Sequence, residues 1–219
     1  MRGRPVVAEC GSGVQDAPLG FADLARLCFD RADLACFARG TAVDTASGPC
    51  PIEEIEEQNL VHTLDNGLQP VRRVLSKKVD GTGPLAPVVF RAGVIGNVRD
   101  LVVSPNHRVL LSGWQTQLLA GSDEALAPAR DLVNGKTIFR QPTGEVEYFH
   151  LLFDRHEIIL TEGAATESYH PLLPGADERS ARTQAELLAL FPHLRAAADA
   201  FGPAVRATLA DGDARPFRF

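Results

Sequence analysis

The chain has 219 residues and a formal net charge of −6, with 45% hydrophobic and 23% charged residues. That balance suits one sizeable core with appendages and excludes a wholly disordered chain. Basic residues gather no further than Arg72-Arg73 and Lys77-Lys78, and no apolar run nears the ~18 residues of a membrane span, so neither nucleic acid nor membrane is expected as a partner.

Residues 1–18, rich in Gly, Pro and polar types, read as a mobile arm. Met1-Arg2-Gly3-Arg4-Pro5 is basic, but no secretory apolar region follows, which leaves a cytoplasmic location as the default. Phe21, Leu24, Leu27, Cys28 and Leu34 fall near helical spacing and predict a short amphipathic helix within residues 19–34. Cys10, Cys28, Cys36 and Cys50 match no zinc spacing, and a core this large needs no disulfides, so reduced thiols are expected.

From residue 36 to 170 the pattern is that of an all-β domain. Thr41 to Asp44 predicts a strand, Ser47-Gly48-Pro49 a turn, and Ile52, Ile55 and the glutamates around them a brief helical turn with a solvated acidic face. Leu60 to Leu64 runs into Asp65-Asn66-Gly67, a hairpin signal, and Val71 to Val79 reads as the answering strand with Pro70 near its edge. Further strands are expected at 88–92, 101–103, 108–111, 137–139, 146–153 and 157–160, with a short helix or turn over 126–133. Many short strands with Gly and Pro turns argue against βαβ units. Beyond Pro174, Ala185, Leu187, Leu188, Leu190, Leu194 and Ala197 predict a helical stretch interrupted by Pro192, and the final residues read as a tail. The expected organisation is a leader over 1–35, a β domain over 36–173, and a helical extension with tail over 174–219.

Chemistry concentrates where Cys36 opens the strand-like segment Cys36-Phe37-Ala38-Arg39-Gly40-Thr41, behind the small residue Ala35. A thiol so placed can attack the carbonyl on its own N-terminal side and convert the Ala35–Cys36 amide into a thioester. The amide must be destabilised and its nitrogen protonated. His107, in Ser104-Pro105-Asn106-His107, is the natural candidate, because an imidazole with pKa ~6.5 exchanges its proton near neutrality. A buried inert thiol and a satisfied core histidine are the bland alternatives, and Ser-Pro-Asn is also ordinary turn chemistry.

The ordered set of motifs resembles the Hint (Hedgehog/intein) domain family, in particular its bacterial Hint-like group. It comprises Cys36-Phe37-x-x-Gly40-Thr41, Pro51-Ile52-Glu53-x-Ile55, Val102 through Leu110, Ala127-x-Ala129-x-x-Leu132-Val133-Asn134-Gly135, and Tyr148-x-His150-Leu151-x-Phe153-Asp154-x-His156. The resemblance implies a mainly β, horseshoe-shaped fold with a short N-terminal helix and a C-terminal helical extension. It also implies N-to-S acyl shift, with Cys36 as nucleophile, His107 as the histidine that strains and protonates the scissile amide, and Ser104 where the family often has Thr. His150 stands where inteins and Hedgehog proteins often carry Asp or Cys. The region equivalent to the intein end reads Thr166-Glu167-Ser168-Tyr169, and the last asparagine of the chain is Asn134, so cleavage without splicing is expected.

His150, Asp154, His156 and His170 invite a metal reading, but positions i and i+6 on a strand stand ~20 Å apart, so no metal and no cofactor are expected. His156 is carried as a supporting residue of the Cys36 site. The expected substrate is the chain's own N-terminal segment, and the second nucleophile is water or an external group. Two other readings stay open: a catalytically inert Hint-fold structural or interaction module, and a thiol hydrolase using Cys36 and His107 on an external ester.

Overall fold

A computed structural model of the protein describes residues 35–169, 204–210, 212–215 and 217. The helices expected within 19–34 and 180–200 lie outside these residues. The described part is built of two sheets. One, taken edge to edge, runs β11 (Ile138–Arg140), β7 (Val88–Phe90), β8 (Leu101–Val103), β1 (Phe37–Ala38), β12 (Val146–Leu152) and β6 (Arg73–Val79). The other runs β15 (Ala207–Thr208), β10 (Glu124–Pro128), β9 (Arg108–Ser112), β14 (Ala164–Glu167), β13 (Ile158–Thr161), β2 (Ala42–Thr45), β4 (Leu60–Thr63) and β5 (Gly67–Pro70). A further strand, β3 (Gly48–Pro51), pairs with β2. The mainly β class expected from sequence holds.

Among the described residues the chain changes sheets at five crossings: Arg39–Thr41, Val71–Arg72, Ser104–His107, the longer Ala129–Thr137, and Phe153–Glu157. The second corrects the sequence reading. Asp65-Asn66-Gly67 does close a hairpin, with Gly67 at φ +64, but the answering strand is β5, paired Leu60↔Pro70 through Thr63↔Gly67. Val71 N–H still donates to Asn59 of the same sheet, whereas Arg72 N–H donates to Leu152 of the other. Strand β6 therefore belongs to the first sheet, in a seven-residue ladder with β12. A period-2 pattern continues smoothly through such a crossing, which is why it reads as one long strand.

Three further differences are physical in origin. The expected turn at Ser47-Gly48-Pro49 lies a residue earlier, because Gly48 and Pro49 already pair with Thr45 and Asp44. The segment 126–133 begins as strand β10 and only then becomes a 3-10 turn over Ala129–Leu132. A helix, α1 (Trp114–Ala120), escapes hydrophobic periodicity because only Thr116 on it is buried while Trp114 and Leu118 face solvent.

The residues read as a terminal tail return to the domain. Ala207 and Thr208 pair parallel with Ala125 and Leu126, and Leu209 and Ala214 are buried. Arg206 ties the return segment down by pairing with Glu124 and Asp65.

The main core gathers Phe37, Val103, Val109, Leu151 and Ile159 from both sheets, each with almost no exposed area. Fully burying a side chain such as Phe37 contributes roughly 1.5–3 kcal/mol. A smaller cluster of Ala38, Leu75, Tyr148 and Leu152 encloses Cys36.

Candidate active site

Strand β1 is central in its sheet, paired with β12 through Phe37↔Phe149 and with β8 through Phe37↔Val103. Carried one residue back, the β1–β12 register sets Cys36 across from His150. Cross-strand partners share a face, and Cys36 Sγ accordingly lies 3.2 Å from His150 Nε2. Both side chains are buried. The thiol is therefore paired with an imidazole that enters from strand geometry alone.

Ser104 holds the other side of Cys36. The Cys36 N–H donates to Ser104 Oγ at 2.8 Å, and the Ser104 N–H donates to the Cys36 carbonyl at 2.9 Å. One residue thus clamps both backbone groups of Cys36, its N–H being the one that belongs to the Ala35–Cys36 amide. The clamp exists because Ser104 begins the crossing between β8 and β9. That turn closes with the His107 N–H donating to the Ser104 carbonyl at 3.1 Å.

His107 is fully buried, its ring tilted 58° against that of Phe37 with centroids 4.2 Å apart. Burial pushes its pKa down to about 4, against opposing pulls from the Glu167 carboxylate and the Ala35 carbonyl. His150 is pushed down to about 3, again by burial first, with the Ala35 carbonyl pulling the other way. The Ala35 carbonyl thus lies within influence of both imidazoles. These values correct the expectation of a histidine exchanging its proton near neutrality at its ordinary pKa: in the resting site both rings are neutral at pH ~7. Tyr169 packs on His150 with ring centroids 4.5 Å apart.

Of the residues singled out in sequence, Cys36, Ser104 and His150 are in direct contact, and His107 joins them through Phe37 and Ala35. His156 is buried but points elsewhere. Its Nε2 lies 3.4 Å from the Glu167 carboxylate, and its Nδ1 accepts the Val205 N–H at 3.3 Å. Sequence reasoning missed Glu167 and Arg108. Their only signal was a pair of opposite charges on strands otherwise rich in apolar residues. Among the described residues no group of three or more His, Cys, Asp or Glu is arranged to hold a metal ion, and none of their helices is long and apolar enough to cross a membrane. Among the described residues no disulfide joins Cys36 and Cys50.

The two sheets meet at the buried Cys36, His150 and His107, in a fold of the self-processing or splicing-related class. The Hint domain family profile matches residues 35–172, and the chain belongs to that family. No curated protein matches it in sequence. Similar solved structures include the AceL NrdHF class 3 split intein, 18% identical over 62% of this chain and 97% of that one, with a TM-score of 0.41. A DnaB intein from Synechocystis is 16% identical over 62% and 99%, TM-score 0.40. A bacterial intein-like domain from Clostridium thermocellum is 12% identical over 62% and 99%, TM-score 0.40.

Proposed function

We propose that this domain cleaves its own Ala35–Cys36 bond by N-to-S acyl shift and thioester breakdown, without splicing. The observation that carries the reading is the Cys36 thiol 3.2 Å from His150 Nε2, on a residue whose own amide N–H is held by Ser104. The thiol proton passes to His150 Nε2 as the sulfur attacks the Ala35 carbonyl carbon. A neutral imidazole N–H on His107 stabilises the developing oxyanion, a role that suits a ring whose pKa is pushed down to about 4. The carbon–nitrogen bond then breaks. Its electron pair stays on the Cys36 nitrogen, which takes the proton back from the His150 imidazolium, with the Ser104 hydroxyl beside it. The products are an Ala35 thioester on Sγ and a free Cys36 amine. Water or an added thiol then takes the acyl group, releasing residues 1–35 from a fragment that begins at Cys36.

In this reading the histidine roles differ from those the resemblance implies: His150, beside the thiol at 3.2 Å, returns the proton to the amide nitrogen, and His107 serves the carbonyl instead of protonating the amide. The burial of Cys36 and His107, with no exposed area, disfavours a hydrolase that must admit an external ester. Splicing would need an asparagine at the far end of the domain. Asn134 instead caps a turn, its side-chain oxygen accepting the N–H groups of Lys136, Thr137 and Ile138.

Intact mass spectrometry of the purified full chain, with and without excess dithiothreitol and beside Cys36→Ala, tests this. A thiol-accelerated fragment beginning at Cys36 and absent from the variant is expected. A chain that stays intact in thiol refutes self-cleavage and leaves the inert Hint-fold module.

A further inference from the structure

A buried ionic network adjoins His107 without being used in the chemistry above. Strand β14 pairs with β9 through Thr166↔Val109, a register that places Glu167 across from Arg108, the residue after His107. The Glu167 carboxylate, 1% exposed, accepts the Arg108 backbone N–H at 2.9 Å and its guanidinium at 3.1 and 3.2 Å. His156 Nε2 approaches the same carboxylate at 3.4 Å. Because a backbone N–H can only donate, the contact from Val205 assigns a bare Nδ1 to the neutral His156 ring and its proton to Nε2, the nitrogen 3.4 Å from Glu167. Burial pushes the Glu167 carboxyl up, but His156, Arg108 and His107 together hold it below the usual carboxylate range. Removing a charge from water costs several kcal/mol unless such partners offset it, so a site that retains one beside its reactive histidines has a use for the charge.

We propose that Glu167 is a positioning residue for His107, held in place by Arg108 and by His156, and that the C-terminal return segment completes the network through the Val205 N–H. This rests on the reading of Ala35–Cys36 as the cleaved bond. As the acyl shift proceeds, positive charge develops on His150, and the fixed carboxylate favours it while holding the neutral His107 ring in place. The charged and titratable groups facing His107 are Glu167 from β14, Arg108 from β9, His150 from β12 and His156 from the β12–β13 crossing. Glu167 is the only anion among these four. Cleavage is thereby coupled to the docking of residues distant in sequence from the scissile bond.

The test is the single-turnover rate of thiol-induced cleavage as a function of pH in the full chain, for wild type, Glu167→Gln, Glu167→Asp, Val205→Pro and Val205→Ala. Loss of one pK unit of charge support corresponds to about ten-fold in an equilibrium. Glu167→Gln is expected to slow cleavage about ten-fold and to shift the pH–rate profile. Glu167→Asp, which keeps the charge, retains the wild-type profile. Val205→Pro removes the N–H, along with the backbone freedom of that residue, and slows cleavage in the same direction by a smaller factor, whereas Val205→Ala, which keeps the N–H, does not. A folded Glu167→Gln chain with wild-type rate and profile overturns the proposal, as does equal loss in the Gln and Asp variants, which marks a merely structural contact. Should Glu167→Gln fail to fold, Val205→Pro decides, and an unchanged rate there overturns the proposal. If wild type does not cleave, the proposed function fails while this inference keeps its own readout. Imidazole nitrogen NMR in uncleaved Cys36→Ala must then show the His107 titration moving when Glu167→Gln is added, and an unmoved titration overturns it.

Discussion

Two neutral histidines locked in the core make the fold acid-sensitive in a calculable way. His107 and His150 are pushed down to about 4 and about 3, chiefly by burial. In the unfolded chain each titrates near ~6.5. Below that value the unfolded state binds protons that the folded state refuses, so stability is complete above ~6.5 and is lost as pH falls toward the folded values. At pH ~5 each ring accounts for about 2 kcal/mol of lost stability, and the pair for about 4 kcal/mol. A charge on one ring disfavours a charge on the other, so their titrations are coupled. Glu167, held low, acts in the same direction at lower pH, whereas Glu157, pushed up by burial, opposes it. Urea unfolding of Cys36→Ala, which keeps the chain intact, should therefore show a clear fall in midpoint between pH ~7 and ~5. Far-UV circular dichroism is the suitable signal, since the single tryptophan, Trp114, is 72% exposed and reports poorly on the core. Adding His107→Leu and His150→Leu should remove most of the pH dependence. A midpoint that is flat in pH, or a double variant with the full original slope, refutes the reasoning.

Ser104→Ala leaves the buried Cys36 N–H without its 2.8 Å acceptor, which should cost about 1–3 kcal/mol by urea unfolding and slow thiol-induced cleavage; unchanged values for both would show that the clamp is dispensable. Gly40 sits at φ +86 in the first crossing with open space around its Cα, so Gly40→Ala should cost about 1 kcal/mol of backbone strain with no clash, measured as a small fall in unfolding midpoint at an unchanged m-value.

Much was legible in the residues. The density of short apolar runs between Gly and Pro turns indicated a mainly β fold, and most strands fall where alternation placed them. The order of motifs around Cys36, Ser104 and His107 pointed to the family. Sheet membership was not legible: nothing local distinguishes a strand that continues from one that changes sheets, as at Val71–Arg72. Helix α1 was hidden because its apolar residues face outward.

The sequence by itself determined the class of fold and marked Cys36 and the bond it adjoins as candidates, because those depend on residue type and on nearest neighbours along the chain. Tertiary structure alone decided the partners. His150 meets the thiol because the β1–β12 register sets it opposite Cys36. Glu167 lies beside Arg108 because β14 pairs with β9, and Val205 reaches His156 because the return segment docks on β10. Each of these contacts joins residues more than a strand apart, and register between such strands is a property of the whole packed sheet. The protonation of the imidazoles follows from the same cause, since burial, which no single residue specifies, moves His107 and His150 away from their ordinary pKa.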